Sequence, residues 1–176
     1  MTVSQSMPPS QFGMQHAIPV SDDILTAIGA TVVCHSFVEG VLGIGIIRLS
    51  GLSPDIGLTM VSTMSFRALT DAFHGLMMKH VAGHDQHKRR YLDIMKAIRG
   101  FEQFRNQVSH SLWQTNVSDP QQTIRVKART TRQGFDEVME IVTIEKISAE
   151  IVKAQTALTD LEILVAEILM PAAGES

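Results

Sequence analysis

The sequence predicts a mainly α protein, a helical bundle of four to five helices with a small β-hairpin inserted before the last helix. Three observations predict it. Apolar residues recur at alternating three- and four-residue spacing over several stretches, which keeps one face of a helix turned inward. Between about residues 122 and 142 that period gives way to alternation, the mark of paired strands. After it, Ile144, Ile147, Ile151, Ala154, Leu158, Leu161, Val165 and Ile168 hold a heptad seam along one last helix.

Taken in order, residues 1–20 carry three prolines and no sustained period, and read as a disordered tail. Ser21-Asp22-Asp23 supplies a cap and negative charge for a helix from about Asp23 to Leu49, with Leu25, Ile28, Val32, Leu42 and Ile46 on its seam. His35 and Glu39 occupy the missing places of that seam. Gly40, Gly43 and Gly45 mark either a break or a close helix contact. Ser53-Pro54 opens a short helix to about Met64, and Ser65 caps the next, with Phe66, Leu69, Phe73, Leu76 and Met77 inward. A long helix follows from about Asp85 to Leu112. Asn116 to Gln121 reads as a polar loop. In the hairpin, Ile124, Val126 and Ala128 alternate with Arg125, Lys127 and Arg129. Thr143 caps the final helix, and Pro171 closes it.

The 176 residues make one domain, about 21–171, and 44% hydrophobic content fits a packed chain. With one Trp, one Tyr and seven Phe, the core must be built mostly from Ile, Leu, Val and Met. A net charge of −3 exerts no global pull on nucleic acid, so a polyanion would need a local basic patch. The lone Cys34 excludes an internal disulfide and suits a reducing compartment. No Lys or Arg precedes Arg48, and His35 and Glu39 interrupt the most apolar stretch. The expectation is a cytoplasmic protein without a membrane span.

The stretch with chemistry is Phe101 to Trp113, FEQFRNQVSHSLW. Tyr91, Ile94, Ile98, Phe101, Val108 and Leu112 form a buried seam, and Arg105 falls in the same series. A guanidinium there must find an anion, because burying it unpaired is very costly. Asn106 and His110, four apart, lie on the adjoining face, which Glu102 and Arg99 extend backwards. A fixed cation, an amide and a titratable imidazole thus share one helix.

Arg105-Asn106-Gln107-Val108-Ser109-His110, late on a bundle helix, resembles the HEPN superfamily motif of Arg, four to six residues, then His. The sequel Ser111-Leu112-Trp113 is similar to a group of uncharacterised bacterial proteins with Arg-Asn, a few residues, His-Gly and a nearby Trp; Ser111 departs from that Gly. The likeness runs from about residue 22 to 170. It implies a homodimer and metal-independent endoribonuclease activity at the dimer interface, of toxin or defence type, with no cofactor or metal. RNA would supply its own 2′-OH as nucleophile. On that resemblance His110 is the acid/base, Arg105 the phosphate clamp and Asn106 the orienter, with Glu39, Glu102 and Trp113 in support. Its partners would be RNA and an antitoxin or other protein.

The alternative is a non-catalytic helical dimer that binds a partner protein or nucleotide, with Arg105 paired to Glu39 and His110 a helix-end residue. Other features point to plain roles. His80, His84 and His87 sit beside Gly83 and Lys88-Arg89-Arg90, and read as a solvated turn rather than a metal site. Arg125, Lys127 and Arg129 form a basic strip that Asp136, Glu137 and Glu140 can neutralise across the hairpin, leaving a solvated face. His35 and Glu39 read as a polar pair inside the bundle. There is no Gly-rich phosphate loop and no nucleophile elbow.

Overall fold

The computed structural model describes residues 20–116, 118–131 and 134–170, so the expected tail lies almost wholly outside them. Five helices and three strands follow one another as α1 (Asp22–Ser50), α2 (Pro54–Val61), α3 (Phe66–His80), α4 (Asp85–Ser109), β1 (Leu112–Asn116), β2 (Asp119–Thr131), β3 (Gly134–Val142) and α5 (Ile144–Leu169). The fold is mainly α, with a small antiparallel sheet before the last helix.

Helix α1 is the hub, packing against α2, α3, α4 and α5. Ser21 caps it by accepting from the Ile24 amide at 3.4 Å, and Asp22 and Asp23 place charge at the positive end of the dipole. Gly51 ends it with φ 69°, left-handed backbone that favours a residue without Cβ. No break occurs at the glycines. A Cβ on Gly45 would run into the Phe73 ring, so that glycine lets α3 approach closely. The inward stripe joins Phe73, Met77, Tyr91, Ile98, Leu161 and Leu164 in one buried cluster. Fully burying each such side chain contributes roughly 1.5–3 kcal/mol. The heptad seam of α5 is a core seam: Ile147, Ala154, Leu158, Leu161 and Val165 are all buried. By length and apolar composition α1 could cross a membrane, yet in this fold its inward stripe is the centre of the bundle.

Two expectations need correction. Helix α4 ends at Ser109, before Leu112, and Leu112–Asn116 forms an added strand, so the expected hairpin is a three-stranded sheet in the order β1-β2-β3. Trp113 supplies the reason. It favours pleated backbone, and its indole N–H donates to the Val108 carbonyl at 2.9 Å, satisfying an acceptor that the helix end leaves open.

The second correction concerns the sheet's faces. Register pairs Trp113 with Arg125 and Arg125 with Glu140, so the three share a face. Trp113 packs on Ile24, Ala27, Val142 and Ile147, which turns that face to the helices. Arg125 is carried inward with it: its side chain is 11% exposed and pairs with Glu140, which also pairs with Lys146 of α5. On the other face Leu112, Met139 and Ile141 are exposed, while Val126 between them is buried. The large aromatic decided the face, and the cross-strand carboxylate neutralised the cation that came with it. The side chains of Arg129, Arg132, Asp136 and Glu137 lie outside the described residues.

Candidate functional site

Polar side chains meet where α1 crosses α4. Helix α4 turns Ile98, Phe101 and Val108 into the core and sets Glu102, Arg105 and Asn106 beside that seam, half-buried. From α1 comes His35, only 4% exposed, on the inward stripe between Thr31 and Val38. Ser65 caps α3, and Phe66, the first residue of that helix, brings its ring to 4.9 Å from the imidazole.

Glu102 is the centre of the cluster. Its Oε1 accepts from Asn106 Nδ2 at 2.8 Å and from Arg105 Nη2 at 3.4 Å, while its Oε2 lies 3.2 Å from the same Nη2. Oε2 is also 2.5 Å from His35 Nε2. Arg105 Nη2 stands 3.1 Å from His35 Nε2 and 3.4 Å from Nδ1. A donor so nearly equidistant from both ring nitrogens cannot lie along either lone pair. The guanidinium therefore rests against the imidazole ring, and Glu102 Oε2 approaches Nε2 closely from one side. Contact is close without being fully matched. Glu102 Oε2 and Arg105 Nε are buried and neither has an aligned hydrogen bond. The cluster is therefore a polar contact between α1 and α4, built around an ion pair within α4, with two polar atoms unsatisfied.

Three of the sequence-singled residues, Glu102, Arg105 and Asn106, come together here. Glu39 stands at the margin, its Oε2 3.7 Å from His35 Nδ1. The expected Arg105–Glu39 pair does not form. His35 sits between them, and Glu102, one turn back on the same helix, reaches the guanidinium directly. His110 is outside the cluster. It is the C-cap residue of α4 (φ −114°, ψ 15°), exposed, with its backbone N–H on the Asn106 carbonyl at 3.0 Å. Trp113 serves the junction of helix and sheet and makes no contact with Glu102 or Arg105 among its described bonds.

Sequence reasoning missed the join between His35 and Glu102. The signal was present: a histidine filling a seam place on α1 and a glutamate beside the seam of α4, each needing a partner. How the two helices cross was not legible, and that crossing is what brings Glu102 to His35. Elsewhere burial pushes the Tyr91 phenol far above its usual range, opposed weakly by Arg99, and its hydroxyl meets His74 Nδ1 at 3.1 Å. Burial likewise pushes the Cys34 thiol up, so it stays protonated and unreactive. His80 meets the Leu49 carbonyl at 3.0 Å, joining the C-terminal ends of α3 and α1, so it is held there and is not part of a solvated turn. Among the described residues no three His, Cys, Asp or Glu are placed to hold a metal ion.

Compared with protein-family models, curated proteins and solved structures, the chain matches none.

Proposed function

We propose that this chain is a HEPN-like helical interaction module, working as a homodimer and binding a partner protein or nucleotide, in which Arg105 is a structural cation. One observation supports it above others. The guanidinium is already neutralised within its own chain by Glu102 and packed against His35. A residue meant to clamp a phosphate needs its charge free for the ligand, and here a carboxylate occupies that place. Asn106 is likewise engaged by Glu102.

The second reading is a metal-independent endoribonuclease of toxin or defence type, with its site completed by a partner subunit. What favours it is His110, exposed at the end of α4 just beyond Asn106, where a second chain or an RNA strand can reach it. In that chemistry His110 moves protons to and from the 2′-OH and the leaving oxygen, and Arg105 must leave Glu102 to meet the phosphate.

An RNA-cleavage assay in EDTA separates them, run on wild type and His110→Ala. The module reading expects no cleavage by either, from folded protein. Cleavage by wild type, lost in His110→Ala and leaving cyclic phosphate ends, would overturn it in favour of the ribonuclease.

A further inference from the structure

Helix α1 carries two apolar stripes, and the core uses one. The other faces out at Ala30, Val33, Phe37 and Ile44, with half-buried Val41 at its edge against the core, and Phe37 at 66% exposure is the most prominent of the described residues on the stripe. Beside it runs a groove between α1 and α5, lined by Val33, Phe37 itself, Val41 and Leu158 with Gln155 and Glu162 on its α5 side, and continuing past Ile44 to Arg48. Knob and groove therefore lie on the same surface.

The spacing of the stripe names its occupant. Ala30 and Ile44 stand seven residues to either side of Phe37, and Val33 and Val41 stand four to either side. A stripe symmetric about its centre matches itself when a second copy is laid on it antiparallel, with the two-fold axis at Phe37. Ala30 then faces the other copy's Ile44, small against large, and Val33 faces its Val41. The ends agree in charge. Arg48, eleven residues after Phe37, comes opposite exposed Thr26, one turn from Asp22 and Asp23 at the helix start. No charged side chain sits on the stripe between them.

We infer that this face of α1 is the self-association surface of the protein, two copies crossing antiparallel at Phe37 so that the two Phe37 side chains meet at the axis, beside the α1–α5 groove that each lines. This rests on the dimer in the function proposed above and assigns its surface. The occupant is a second copy, because no other partner is required by the stripe's own symmetry to match it residue for residue. Phe37 also projects about 200° around the helix from His35. The dimer surface and the Glu102 cluster thus lie on opposite sides of α1, and self-association leaves the cluster and the α4 end accessible.

The test is the molar mass of the full chain by sedimentation and light scattering, for wild type, Phe37→Glu and Arg48→Glu. Wild type is expected as a dimer. Phe37→Glu should weaken it about 100-fold or more, since the residue is central and appears twice, with helical circular dichroism unchanged because the side chain is exposed. Arg48→Glu should weaken it less, and Asp22→Lys with Asp23→Lys should restore it. Oxidised Phe37→Cys should run as a covalent dimer, because a residue on the axis meets its own copy. A dimer that survives Phe37→Glu overturns the surface and leaves the dimeric module standing. A monomeric wild type overturns both, and a monomer that partitions onto phosphatidylcholine vesicles through Phe37 would reassign the stripe to lipid.

Discussion

Arg105→Ala tests directly whether the guanidinium holds the fold or waits for a ligand. The side chain is 22% exposed and its partner Glu102 18%. Removing one member of a buried pair costs about 3–5 kcal/mol, because the other charge stays behind uncompensated. Partial exposure here, and the contact His35 retains with Glu102, reduce the expectation to about 2–3 kcal/mol. For a chain of this size each kcal/mol lowers Tm by roughly 2–4 °C, so a fall of about 4–12 °C is expected. Urea unfolding followed by circular dichroism measures it, with the slope m checked for constancy. Glu102→Ala should cost a similar amount. The double variant Arg105→Met, Glu102→Met should recover most of the loss, since neither charge is left buried alone. His110→Ala, at an exposed helix end, should stay within about 0.5 kcal/mol of wild type. If Arg105→Ala also stays within about 0.5 kcal/mol, the guanidinium does not hold the fold, and the case for a phosphate clamp returns.

Two glycines of α1 should respond in opposite directions. Gly40→Ala meets nothing within 4 Å and should stabilise by about 0.5–1 kcal/mol, while Gly45→Ala drives a methyl group into the buried Phe73 ring and should destabilise by about 1–3 kcal/mol; thermal unfolding of the pair reads both. A hydrogen bond from Lys146, aided by Arg125, holds the Glu140 carboxyl below its usual value of 4.5. The unfolded chain then takes up that proton first, so stability should fall as pH drops below 4.5, and Glu140→Gln should flatten that acid limb in urea titrations. Burial raises the Tyr91 phenol above its usual 10.0, so the unfolded chain loses that proton first and stability should decline as pH rises past 10, a loss that Tyr91→Phe removes.

Periodicity made most of the fold legible. The caps at Ser21, Ser65 and Thr143 and the α5 seam stand where the spacing placed them, because each depends on residues one turn apart. Three things were not legible. Trp113 ends α4 early by giving its indole hydrogen to Val108, a side-chain-to-backbone bond that outweighs the helical spacing of Leu112. The same residue then turns Arg125 inward through strand register, so alternation alone misplaced that cation, although Val126 is buried and Lys127 exposed as it expects. In the candidate site, Arg105 was recognised as needing an anion, and it has one. That anion, Glu102, lies one turn back on the same helix, a local spacing, whereas the helix crossing that brings His35 to the same carboxylate is encoded by no local pattern.

Helix α1 ties these observations together, because its apolar content is more than a core requires. His35 faces α4 and joins the Glu102 cluster; Phe37, two residues on, faces away from it. A dimer through Phe37 therefore holds the two Glu102–Arg105 clusters on its outer flanks, and the residues Arg105 and His110 of one copy do not meet those of the other. A ribonuclease site shared between subunits would need a different contact, one that joins the α4 ends. The exposed sheet face of Leu112, Met139 and Ile141 lies beside that end, with His110 two residues from Leu112. Association at α1 leaves each α4 end open to a separate partner, as a binding module needs, whereas association at the sheet would bring the two His110 side chains together over one substrate. Symmetry of spacing and charge favours α1, and so does the carboxylate that already holds Arg105.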